Sequence, residues 1–386
     1  LTSNTPEQPE GHATEQPAQV PAAQDPQIAP QAQPPMPAAP PAWAWASQPQ
    51  PTQTVETEPL EYHRLLRGAQ GYKWWKPLLV VLIAAGIYIV LSIIISVIWF
   101  AIMAVGNPDL FTSSDATAMS QTLVDQLALD TQNPLSVFMN LLTIALMIPS
   151  VILAMLVMGM RPVGRVWSVA TRIRWGALGR FTGIAVLGVV VMNVTGTLLE
   201  MLFSLAVPVE AVAPAVSKDF DGNAALLSFV FVLILVPIQA TAEEVVFRGL
   251  FMQVLGSWLK NPWFAILIPT VAFAGAHIYD MWGLAAVGFM GLTAAWLTWR
   301  TGGLEAAIAI HVINNIAAFG VMASGIGGST AQTESAGGPG SLIGEVIGLS
   351  LFTWLVVRSF KKRGYGRTRI DLLRVPVAPL QAQPLQ

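Results

Sequence analysis

Three stretches of this sequence place chemically capable side chains among apolar neighbours. The first is Glu243-Glu244-Val245-Val246-Phe247-Arg248. Glu244 and Arg248 stand four apart, so on a helix they share a face and can pair. Glu243 points about 100° away from Glu244 and is free for a different task. The second stretch sets Phe273 four residues before His277, which puts an aromatic ring on the histidine's own face. The third sets His311 four before Asn315, so an imidazole and an amide point together. A carboxylate pair, an imidazole and an imidazole–amide pair suit water activation and oxyanion stabilisation. The same donors can ligate a metal ion. Plainer readings stand beside these: a salt bridge at a helix end for Glu244 and Arg248, and interhelical hydrogen bonding for each histidine.

The elements that position these groups follow from composition. Of 386 residues, 54% are hydrophobic and 11% charged, against about 25% charged in ordinary soluble domains. Mean hydropathy is +0.58. These values argue against a soluble enzyme, a nucleic-acid binder or a coiled coil, and for a polytopic membrane protein. The absence of cysteine excludes disulfides, thiolate metal sites and thiol catalysis. Apolar runs predict about eight transmembrane helices, near 77–105, 134–160, 180–206, 224–245, 262–279, 282–299, 303–323 and 341–360. Glu200, Asp280, Glu305 and Glu345 fall near span ends, where a charged tip reaches the interface cheaply.

Residues 1–60 are different. They hold 14 of the 28 prolines, ten glutamines, six acidic residues and no Lys or Arg. Such a segment has too little apolar surface to offset the entropy of ordering and is expected to be disordered. The chain therefore divides into a Pro/Gln/Ala-rich tail (1–60), a basic and aromatic juxtamembrane segment (61–76), a transmembrane bundle (77–360, with the motifs in 224–323) and a basic cytoplasmic tail (361–386). Flanking charge alternates. Segment 161–180 carries Arg161, Arg165, Arg172, Arg174 and Arg180, Arg248 and Lys260 follow the fourth span, and the C-terminal end carries Arg358, Lys361, Lys362 and Arg363. Segment 106–133 holds four aspartates and no basic residue, 207–223 has Lys218 against three acidic residues, and 324–340 is Gly/Ser-rich without Lys or Arg. The positive-inside rule then puts both termini in the cytoplasm of a multi-pass cell-membrane protein.

The three stretches, in this order and each in an apolar segment, resemble the CAAX prenyl endopeptidase and bacteriocin-processing (CPBP, Abi) family of intramembrane proteases. Its pattern is E-E-x-x-x-R, then F-x-x-x-H, then H-x-x-x-N or D. The resemblance covers about residues 224–323; the earlier spans match only in being hydrophobic. It implies an all-α intramembrane endopeptidase of eight helices whose site opens toward the cytoplasm. Carried over, Glu243 is the general base, His277 shares the attacking water, and His311 with Asn315 holds the oxyanion. Glu244 and Arg248 form the pair that orients Glu243, and Phe273 accompanies His277. The family has been described both as metalloproteases and as glutamate proteases. The H-E-x-x-H zinc helix is absent here. A mechanism without cofactor is expected; the alternative is a divalent ion such as zinc on Glu243, His277 and His311.

The resulting reading is hydrolysis, near the cytoplasmic membrane face, of a membrane-associated peptide or protein by glutamate-activated water. The partners are that substrate and the lipid bilayer, with no nucleic acid. A catalytically silent scaffold or immunity protein of the same fold, and a proton-coupled transporter, are the alternatives. One geometric difficulty accompanies it. Counting places His277 about 20 Å above the cytoplasmic end of its span and His311 about 12 Å. Glu243 meets them only if helix ends differ from these bounds, or if the fourth helix runs on past Arg248 toward Lys260. The place of Glu305, in the same span as His311, is open.

Overall fold

The computed structural model describes residues 51–106, 108, 116–206, 220–326, 328–334 and 337–377. Tail residues 1–50 and 378–386 lie outside these, as do Asp109, Asp115, Glu210, Lys218 and Asp219 of the loops.

Seven helical stretches among the described residues are long and apolar enough to cross a membrane. They are α1 (Lys76–Gly106), α3 and α4 (Pro134–Ala145 and Met147–Val157) as one broken span, α5 (Trp175–Ala206), a long unit from Gly222 to Trp258, α9 (Met281–Thr301), α10 (Glu305–Ser324) and α11 (Pro339–Arg363). Between the first two lies the short α2 (Ala116–Leu127). The eighth expected span is shorter than 262–279. It is α8, Pro262–Gly275, of 14 residues, or about 21 Å against a hydrocarbon core of about 30 Å. The apolar run continues beyond it, but the helix stops, and 276–280 reach back so that the Asp280 amide donates to the Glu334 carbonyl.

The sequence marks these ends chemically. Asn133, Asp221, Asn261 and Asp280 each accept a hydrogen bond from the first turn of the helix that follows, satisfying amides that have no partner within the helix. Gly302, Gly325 and Gly364 close helices at φ of 70°, 67° and 64°, where a side chain would be strained. The break between α3 and α4 precedes Pro149, whose ring cannot sit against the carbonyl four residues back.

The long unit corrects the sequence reading most. Its helix α6 (Gly222–Glu244) does not end near 245. It passes into a wider π-type turn, Val245–Phe251, and continues as α7, Met252–Trp258. Arg248 is therefore fully buried within a helix rather than a charge flanking a span. The widened turn sits directly after the carboxylate pair, where such turns mark functional sites.

At the end of the bundle bearing Lys260 and Arg363, short antiparallel strands join the two ends of the described chain. β1 (Thr52–Glu56) pairs with β4 (Leu372–Pro376), and β2 (Leu60–Glu61) with β3 (Thr368–Arg369). The boundary drawn at residue 60 thus falls inside ordered structure, and 364–377 are strand and turn rather than a free basic tail. Arg165 fixes this layer. Its guanidinium meets both oxygens of Asp371 at 2.6 and 3.0 Å and the carbonyls of Leu65 and Gly68. Burial alone would raise the Asp371 carboxyl, but Arg165 and Arg369 together hold it below its usual range. Arg174 grips Glu305 the same way, at 2.8 and 2.6 Å. Glu305 is thereby a buried anchor at the start of α10. Glu200 accepts from the first amides of α11, and Asp280 caps α9.

Tight packing completes the frame. A Cβ on Gly344 or Gly348 of α11 would collide with the α5 backbone around Gly188, Met192 and Gly196. Small residues at four-residue spacing let the two helices touch backbone to backbone.

Candidate active site

Because α6 runs on through Arg248, its carboxylate pair lies well inside the bundle, level with His311 on α10. The imidazole of His311 sits between the two acids. Its Nδ1 lies 2.7 Å from Oε1 of Glu244, and its Nε2 lies 3.3 Å from Oε2 of Glu243. Glu244 also receives Nη1 of Arg248 at 2.9 Å, and both of those side chains are 1% exposed. Two donating partners hold this buried carboxylate in place. Removing either would leave an uncompensated charge.

Glu243 is the accessible member, its side chain 13% exposed. Its second oxygen accepts from Nε2 of Gln239 at 2.7 Å, and Oε1 of Gln239 accepts from Nδ2 of Asn315 at 3.4 Å. Gln239 is a site residue that the sequence reading passed over. The signal was present: a lone amide one helical turn before Glu243, inside an apolar run.

Phe273 is the hub beneath these groups. Its ring lies edge-on to His277 (4.8 Å between centroids) and to His311 (5.7 Å), and the Arg248 guanidinium stacks 4.1 Å from its centre. The buried cation is therefore held by a carboxylate on one side and an aromatic face on the other. Gly291 of α9 leaves the room, since a Cβ there would lie 2.9 Å from Nη2 of Arg248.

His277 follows the end of α8 and is half-exposed. Its Nδ1 donates to the Phe273 carbonyl at 2.8 Å, which leaves Nε2 with a free lone pair. The ring stacks on Tyr279, 5.6 Å away.

These groups line a cavity of about 480 Å³. Glu243, His277, His311, Asn314, Asn315 and Gln239 supply its polar wall, and Phe247, Phe273, Met290 and Phe319 are among its apolar residues. The structure thus brings together every residue singled out in the three motifs. The helix-end difficulty is removed by the unbroken run to Trp258 and the short α8. Two arrangements differ from expectation. His311 is engaged by both carboxylates instead of standing free as a donor, and Glu244 orients His311 as directly as it pairs with Arg248. Among the described residues no group of three His, Asp or Glu side chains is placed to hold a metal ion.

Leu129, Tyr279, Met322 and Gln332 also line the cavity, and these stand at the end of the bundle away from Arg161, Lys260 and Lys361.

Comparison with known proteins agrees with the motifs. Residues 224–317 match the family described as type II CAAX prenyl endopeptidase Rce1-like. The match spans α6 to α10 and includes every motif residue. The chain is also 24% identical over 252 residues to YyaK, an uncharacterized protein of Bacillus subtilis (strain 168), covering 63% of this chain and 76% of that one. No solved structure matches the chain. The resemblance read from the three motifs is borne out over this region, and the apolar helices agree with a multi-pass membrane protein.

Proposed function

We propose that the protein is an intramembrane endopeptidase in which Glu243 is the general base that activates water against a peptide bond. One observation supports this above the others. Of two adjacent carboxylates, one is sealed and charge-paired while the other faces the cavity of about 480 Å³ between an imidazole and an amide.

The chemistry follows from the hydrogen bonds. Water in the cavity gives one O–H to Glu243 and the other to the lone pair on Nε2 of His277, which aims its oxygen. Glu243 takes the proton as the oxygen attacks the carbonyl carbon. In its doubly protonated form His311 keeps its Nδ1–H on Glu244, and as Glu243 becomes neutral the Nε2–H, 3.3 Å from Oε2 of Glu243, is released to the developing oxyanion. Asn315, with one of its two N–H donors spent on Gln239, offers the other. Preorganised donors of this kind are worth most in a site shielded from bulk water. The intermediate collapses with loss of the amine, which recovers the proton from Glu243. Water is consumed, and a carboxylic acid and an amine are formed, the acid passing its proton to the amine. Glu244 and Arg248 act through His311, as positioning residues.

No cofactor is part of this account. The substrate is a peptide or membrane protein segment threaded to the cavity from the bilayer surface. Both termini are cytoplasmic in this reading: the strand layer, Arg161, Arg172 and Lys361 share one end of the bundle.

The test is cleavage of a fluorogenic peptide library by detergent-purified protein, with Glu243→Ala as control. Turnover by the parent chain and none by the variant is expected. Equal turnover by both would refute the assignment of Glu243.

A further inference from the structure

Among the described residues, Glu243 is walled off toward one end of the bundle and faces the cavity toward the other. Along α10 and the turn before it, every residue from Thr301 to His311 is buried. Beyond His311 the helix changes character: 312–317 are half-buried and Ala318 is exposed. The long helical unit repeats the pattern. From Glu243 toward Trp258, buried side chains include Arg248, Leu250, Met252, Val254 and Ser257. The cavity accordingly takes Asn314, Asn315, Ala318 and Met322 from the C-terminal half of α10, and nothing from its first turn. Its rim is Leu129, Tyr279 and Gln332, where the Gln332 amide donates to the Tyr279 hydroxyl at 2.9 Å.

Charge says which end is which. The closed end displays Arg161, Arg172, Lys260, Lys361, Lys362 and Arg363, all exposed. At the open end, the described segments 128–133 and 328–334 hold Asp130 and Glu334 and no Lys or Arg. Basic residues in short loops stay in the cytoplasm. We infer that the active site is served from the extracytoplasmic face, and that its substrate is a peptide segment exposed on the outer side of the membrane rather than a cytoplasmic one. This rests on the protease reading only for calling the ligand a peptide; the side from which water and ligand enter stands on geometry and charge.

The cavity's described lining contains no Lys or Arg, and Arg248 is sealed beneath it. A free C-terminal carboxylate entering there would find no Lys or Arg among the described lining, so the site suits an internal stretch of extended chain.

The absence of cysteine makes the face measurable. In the full chain, Ala318→Cys within the cavity, Gln332→Cys at its rim and Lys361→Cys at the closed end each introduce a single thiol. A membrane-impermeant maleimide is applied to bacterial spheroplasts and, separately, to sealed inverted vesicles. The expected result is labelling of Ala318→Cys and Gln332→Cys in spheroplasts only, and of Lys361→Cys in inverted vesicles only. Labelling of Ala318→Cys from the vesicle side, or silence of both cavity thiols in spheroplasts with labelling after detergent, would overturn the inference. None of these readouts needs turnover, so a chain that cuts no peptide but labels as expected would sink the protease reading and leave the face standing.

Discussion

Nδ1 of His311 donates to Oε1 of Glu244 across 2.7 Å, so the carboxylate that neutralises Arg248 also fixes the imidazole facing the reactive Glu243. Structure and catalysis are coupled through that one acid. The partner that keeps Glu244 charged is therefore needed for both.

Arg248→Ala tests this coupling. It leaves a buried carboxylate supported by His311 alone. Breaking a buried pair costs about 3–5 kcal/mol, less where water can enter. Unfolding in detergent should show a lowered midpoint together with lost activity. A variant that melts with the parent would mean the pair does not hold α6 to its neighbours.

Gly291→Ala probes the same contact without touching a charged group. The added Cβ would lie 2.9 Å from Nη2 of Arg248 and 3.2 Å from the Phe273 ring. Overpacking of this kind costs about 1–3 kcal/mol. Gly288→Ala, on the same helix, would meet only the Ala274 methyl at 3.9 Å and should be neutral or mildly stabilising. Thermal melts of the two variants should diverge; matching melts would show that Arg248 has room to spare.

Much of this was legible beforehand, and the rest was hidden for identifiable reasons. Hydropathy located the spans because the bilayer imposes a minimum apolar length. The i,i+4 spacings of Glu244–Arg248 and His311–Asn315 placed each pair on one helix face, and that of Phe273–His277 brought ring and imidazole together although His277 lies just past the end of α8. The early end of α8 was hidden because 276–279 remain largely apolar, so hydropathy runs on where the backbone turns. Arg248 read as a flanking charge because its compensation lies elsewhere, in Glu244, Phe273 and the space at Gly291. The strand layer pairs residues more than 300 apart, such as Thr52 with Pro376, and no local pattern reports such a pairing. Gln239 was visible as a polar residue in an apolar run, but only its hydrogen bond to Glu243 gives it meaning.

The oxyanion donors make a kinetic prediction. Asn315→Ala removes one N–H from the cavity and should lower turnover by about 10²–10³, the usual loss for one such donor. His311→Ala removes a donor and also releases Glu243 and Glu244, so it should be more severe and should lower stability as well. Single-turnover rates beside melting curves distinguish the two. Equal effects on rate with no change in melting would return His311 to the status of a simple donor.

Metal dependence is checked by elemental analysis and chelation. Activity should survive exhaustive treatment with chelators, and purified protein should contain no stoichiometric zinc. One equivalent of zinc, lost with activity on chelation and restored with it on adding the ion back, would replace the glutamate mechanism by a metal-assisted one.

The central claim is that Glu243 accepts the proton of the attacking water, and Glu243→Gln addresses it most directly. The amide keeps the size of the side chain and can still bond to Gln239 and His311, but it is no base. Turnover of the best library peptide should fall to background while the melting temperature stays within a degree or two of the parent's. Turnover within about tenfold of the parent, a barrier change of only about 1.4 kcal/mol, would contradict the account.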